Sequence, residues 1–142
     1  MLKIIKRLLV LKNYRYTLVF LAWITFVTYA SLSSFDQDNA PTFNLPQLDK
    51  AVHFTFYFVA AFLAAFLLRE RTLGKVGLRK ALVFSVVFSV GFGIIIEVLQ
   101  YTLTVDRQGD VLDAMANTIG ALLGAFAIKL LFSGRTRLKW EI

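Results

Sequence analysis

Four apolar stretches, each close to the length that crosses a bilayer, constrain this chain more than any other feature. They run from Thr17 to Leu32, Ala51 to Leu68, Ala81 to Leu103 and Val111 to Phe132. A hydrocarbon core asks for about 20 mostly apolar residues per helix, and a backbone in lipid must satisfy its own hydrogen bonds, as a helix does. In a chain of 142 residues these stretches leave only short connectors. The expected fold is therefore all-α: one polytopic membrane domain at 17–132, a compact bundle of four transmembrane helices, with a basic segment at 1–16 and a basic tail at 133–142. Composition agrees, with 58% apolar and 18% charged residues, against roughly 45–50% and 25% in soluble domains. Pro41 and Pro46, the two prolines, both fall in the first connector, where no helix is needed. Cysteine is absent, which excludes a disulfide framework, a thiolate zinc site and a Cys nucleophile.

The net charge of +7 would suggest nucleic acid in a soluble protein. Here the placement of the charges gives another reading. Lys and Arg number five before the first span, then one, five and one in the three connectors, and four from Lys129 onward. By the positive-inside rule both termini and the 69–80 loop are cytoplasmic, an N-in/C-in topology. The charge is thus a topology signal, and no nucleic-acid partner is needed to explain it. A basic start before an apolar run also has the form of a signal peptide, with Ala30 and Ser31 small enough for cleavage. The continued alternation favours a retained first span. Tyr14, Tyr16, Tyr29 and Trp140 suit the membrane interface.

Ionisable residues in a span cost a few kcal/mol on insertion scales and normally face the bundle interior, and several occur here. Asp49, His53 and Tyr57 share one face of the second span, continued by Ala60, Ala61 and Ala64, while Phe54, Phe58, Phe62 and Phe66 form a separate stripe expected to face outward. In the third span Glu97 is followed at i+3 by Gln100. Asp110, Asp113, Asn117, Gly120 and Gly124 are spaced 3, 4, 3, 4 along the fourth, a packing seam whose Gly-x-x-x-Gly pair admits a close backbone, in the chain's own core or in a homo-oligomer. At the helical rise, His53 lies about 6 Å in from Asp49, Glu97 about 9 Å from Leu103 and Asn117 about 9 Å from Val111. One polar layer is therefore expected at the outer end of three helices, under Arg107 and Asp110, with the cytoplasmic halves nearly featureless. Each residue has a plain structural reading. His53 suits an interior hydrogen bond, Glu97 and Gln100 suit tying the third helix to Asn117, Lys50 and Arg107 suit counter-ions, and Asp110 suits a helix cap. Their convergence at one end of the bundle is what points to a site.

Three segments together, Asp49-Lys50-Ala51-Val52-His53-Phe54, Glu97-Val98-Leu99-Gln100, and Arg107 through Asp110, Asp113, Asn117 and Gly120 to Gly124, resemble the VanZ-like family of membrane proteins. The resemblance covers roughly residues 49–127 and leaves the first span outside. It implies a small helical bacterial membrane protein, in a family whose named member is associated with low-level resistance to the glycopeptide teicoplanin. No reaction comes with the resemblance; a role with lipid-linked envelope precursors is the inference it supports.

Three classes of function fit these residues. The first is an outer-face site that binds or modifies a lipid-linked envelope precursor or a lipoglycopeptide, besides contacting membrane lipid. Asp49, Lys50, Gln100, Arg107, Asp110 and Asn117 would hold the ligand, and His53, Glu97 and Asp113 would be the catalytic groups, with His53 and Glu97 as the acid/base pair. No cofactor is assigned, although Asp110, Asp113, Glu97 and His53 are of the types that hold Mg²⁺ or Mn²⁺. The second is a non-enzymatic scaffold that binds a partner without turnover. The third, a proton-coupled carrier using Glu97 and Asp113, is disfavoured because its polar groups all sit at one end.

Overall fold

The structure, a computed structural model, describes residues 14–33, 48–103, 111–132 and 140. Four helices account for nearly all of them: α1 (Arg15–Leu32), α2 (Leu48–Arg71), α3 (Leu78–Leu103) and α4 (Val111–Leu131). All four are long and apolar enough to cross a membrane. They run up and down in turn, with α2 packed most extensively on α4 and also on α3, and α1 set against α2 and α3.

The bundle is lipid-adapted in its radial order. Large apolar side chains such as Val87, Ile94, Leu122 and Phe126 point outward, while Ala60, Ala61, Ala64, Ser85, Ser89 and Gly120 lie buried between helices. Small residues are what bring helices together in lipid, where apolar burial alone gives no driving force. At α4 this is literal. A Cβ at Gly120 would overlap the carbonyl oxygen of Phe54, and one at Gly124 that of Phe58. The Gly-x-x-x-Gly pair is thus used inside the chain, as the seat of α2. The phenylalanine stripe is half-buried rather than directed wholly outward at Phe54, Phe58, Phe62 and Phe66, and the backbone of Phe54 and Phe58 forms part of the α2–α4 interface.

The first three helices reach further than their apolar runs. α2 starts at Leu48, which places Asp49 and Lys50 in its first turn. α2 continues to Arg71 and α3 begins at Leu78, so the basic connector is short. It is closed by Gly74 N–H donating to Arg69 O at 2.8 Å and Leu73 N–H to Glu70 O at 3.1 Å, the Schellman pattern. Leu73 occupies its left-handed position with φ 53°.

The end of the bundle at this connector is richer than the sequence suggests. Glu70 accepts hydrogen bonds from Tyr16 N–H, Thr17 N–H and the Thr17 hydroxyl at 3.1, 2.8 and 2.8 Å. A carboxylate from the end of α2 therefore caps the start of α1, whose own N-cap residue, Tyr14, makes no side-chain cap bond. Nearby, Trp140 donates to Val76 O at 2.8 Å and packs on Phe66 and Phe132. Of the expected interfacial residues, Tyr16 stacks on Phe66 and Tyr14 lies under Arg71, while Tyr29 is exposed.

Candidate functional site

The opposite end of the bundle carries the polar layer, built from the first turns of α2 and α4 and the last turns of α3. His53 is at its centre, with a side chain only 5% exposed. Its Nδ1 lies 3.1 Å from Asn117 Oδ1 and 3.7 Å from Glu97 Oε1. Asn117 Nδ2 in turn donates to Glu97 Oε1 at 3.1 Å. This second bond decides the orientation of the first. A carboxylate only accepts, so the Asn117 amide turns its NH₂ to Glu97 and its oxygen to His53, and His53 must be the donor through Nδ1–H. In its neutral form the ring then carries its lone pair on Nε2. That edge looks the other way, towards Asp49 Oδ1 at 3.9 Å.

Asp49 follows from its position in the first turn of α2: its side chain is 63% exposed, the most open member of the layer. Asp113, in the first turn of α4, is only 10% exposed and accepts from Lys50 Nζ at 3.0 Å. An ion pair sheltered to this degree leaves a costly lone charge if one partner is removed. The counter-ion role read for Lys50 is thus realised at Asp113.

The expected members are distributed as follows. Asp49, Lys50, His53, Glu97, Asp113 and Asn117 come together from three helices. His53 and Glu97 are neighbours, joined through Asn117 rather than by a direct hydrogen bond. Gln100 is buried, and its Nε2 donates to the backbone carbonyl of Ser31 at 2.9 Å, which ties α3 to α1. Arg107 and Asp110 lie outside the described residues. Of the four-residue cation set, Asp110 lies outside the described residues; Glu97 lies 3.7 Å from His53 Nδ1, and Asp113 groups with Asp49 and His53.

Gly93 sits under the layer. A Cβ there would come within 3.1 Å of the Tyr57 ring and 3.3 Å of Asn117 Cβ, so the glycine lets α3 close onto Asn117. On the outer side of that contact a cleft of about 380 Å³ opens between α3 and α4, lined by Val90, Gly93, Ile94, Val111, Ala114, Met115, Thr118 and Ile119. Its lining is almost wholly apolar, with Asn117 and Thr118 its polar residues.

A family model for VanZ/LLP1 matches residues 4–132, nearly the whole chain and all four helices. The chain belongs to the VanZ/LLP1 family. The VanZ/LLP1 match begins before α1 and takes in the first span, which the motif resemblance left outside. That extent fits a bundle in which α1 is tied in at both ends, by Glu70 and by Gln100, and between them by Trp23 Nε1 donating to Phe56 O at 3.0 Å. Neither a curated protein sequence nor a solved structure shows a significant match to this VanZ/LLP1 chain.

Proposed function

We propose that this protein takes a lipid-linked cell-envelope molecule laterally from the bilayer and binds or modifies its head group at the polar layer. In this reading the protein is N-in/C-in in a bacterial cytoplasmic membrane, as the alternation of Lys and Arg suggests, and the layer faces outward. The observation that carries the reading is the α3–α4 cleft, whose apolar walls meet the same Asn117 that orients His53. A hydrocarbon chain fits the walls, and a polar head at the end of such a chain would lie beside Asp49, Lys50, His53 and Asp113. An amphiphile is the class of molecule that satisfies both. Lys50 suits a phosphate or carboxylate, and His53 with Glu97 suits proton transfer at the head group. A lipoglycopeptide such as teicoplanin, with an acyl chain and a polar body, falls in the same class, which links the reading to low-level resistance.

The test is teicoplanin susceptibility of a sensitive Gram-positive host expressing wild type, His53→Ala, Glu97→Gln, Asp113→Asn and Ala114→Phe, with membrane abundance measured alongside. Ala114→Phe fills the cleft from its lipid side and leaves the polar side chains in place. Protection by wild type that all four variants lose at equal abundance is the expected result. Protection that survives both the cleft and the polar variants would refute the reading.

A further inference from the structure

His53, Asp49 and Asp113 form a grouping to which the lipid-linked reading gives no metal role. One ligand atom from each of the three lies within 4.8 Å of the other two. Three observations bear on what belongs between them. The first is the lone pair. Glu97 sets the Asn117 amide and Asn117 sets Nδ1–H as the donor, so in the neutral ring the unprotonated nitrogen is Nε2, in a side chain more than nine-tenths buried and 3.9 Å from an Asp49 oxygen. Nε2 makes no hydrogen bond among the described residues, and at 3.9 Å from Asp49 Oδ1 it is beyond hydrogen-bond reach. A lone pair facing an anion is repulsive unless a positive centre stands between them.

The second observation is the orienting relay itself. Histidines that hold a metal through one nitrogen donate the other N–H to an oxygen that fixes the ring, and that oxygen is in turn hydrogen-bonded. His53 Nδ1–H, Asn117 and Glu97 reproduce that chain in order. The third is reach. With metal–ligand bonds of about 2.1 Å to nitrogen and to oxygen, two donors on one ion stand at most about 4.2 Å apart. The 3.9 Å pair already satisfies this, and exposed Asp49 has the freedom to complete the approach to Asp113.

We propose that Asp49 Oδ1, His53 Nε2 and an Asp113 carboxylate oxygen form a binding site for a divalent transition-metal cation. One imidazole with two carboxylates suits Zn²⁺ or Mn²⁺ over Mg²⁺, which prefers oxygen alone. Lys50 also pairs with Asp113 at 3.0 Å: its ammonium neutralises part of the carboxylate charge and so moderates affinity. The assignment is sharpened by composition, since the chain holds no cysteine and a single histidine. No other side chain in it offers a thiolate or an imidazole.

The test uses the full-length chain in nanodiscs, stripped with a chelator, and titrated with Zn²⁺ alone and with Mn²⁺ alone. Expected is one saturable ion per chain for each metal, affinity reduced at least tenfold in Asp49→Asn, and binding abolished in His53→Gln. Asp49 is exposed, so Asp49→Asn keeps the fold even where His53→Gln does not. The single histidine gives an independent readout. In ¹⁵N-histidine-labelled protein the metal-free imidazole should show the Nδ1–H tautomer, and Zn²⁺ should shift the Nε2 resonance while leaving Nδ1 protonated. An Nε2–H tautomer in the stripped protein, an absence of saturable binding at millimolar metal, or binding equal in wild type and Asp49→Asn would each overturn the proposal. These readouts need no lipid-linked molecule, so their outcome stands apart from the teicoplanin assay.

Discussion

Asn117 Nδ2 donates to the Glu97 carboxylate from 3.1 Å, joining α4 to α3 at the level where His53 is buried. Replacing Asn117 by Leu keeps much of the volume but removes the donor to Glu97 and the acceptor of His53 together. A buried polar group left without its partner costs about 1–3 kcal/mol. The expected outcome is a loss of that size in reversible unfolding in mixed micelles. Glu97→Gln, which can still offer Asn117 an oxygen, should lose less.

Three glycines should respond to alanine in three different ways. Gly120→Ala pushes a methyl into the backbone of α2, which cannot yield locally, so a loss of about 3 kcal/mol or more is expected. Gly93→Ala meets the Tyr57 ring and the Asn117 side chain, which can shift by tenths of an ångström, so the loss should be smaller. Gly91→Ala meets nothing within 4 Å, and helix propensity alone should make it neutral or stabilising by up to about 1 kcal/mol. Unfolding free energies of the three variants, compared in one detergent, check the order.

Glu70→Ala removes the carboxylate that holds Tyr16 N–H, Thr17 N–H and the Thr17 hydroxyl. Loss of an N-cap acceptor costs about 1–2 kcal/mol. Hydrogen exchange should quicken at the first turn of α1 and stay unchanged at the far end of the bundle.

Leu73→Gly should raise stability by about 0.5–1 kcal/mol, since a leucine at φ 53° carries a steric cost that glycine does not. Leu73 is 84% exposed, so little packing is given up. A rise in thermal midpoint, read by loss of helical signal, checks this.

The four spans and the α4 seam are readable from the sequence because lipid enforces a simple rule: apolar outside, small or polar inside, repeated each turn. His53, Glu97, Asp113 and Asn117 meet at one depth because the helical rise makes depth a matter of counting. What counting does not supply is the choice of partner. Gln100 bonds to the Ser31 carbonyl, and a backbone acceptor has no residue signature. Glu70 closes on amides 53 and 54 positions earlier in the chain, where nothing in the local sequence announces a cap. Asn117 takes its place between His53 and Glu97 only because Gly93 lets α3 approach, a relation that spans three helices.

The cap on α1 also bears on how the chain enters its membrane. The ribosome makes α1 long before residue 70, so the first helix must begin crossing with its leading amides held by water or lipid phosphates alone. Their permanent acceptor arrives only at the return end of α2. The first two helices are therefore completed as a hairpin, with the acid that locks the start supplied by the last turn to emerge.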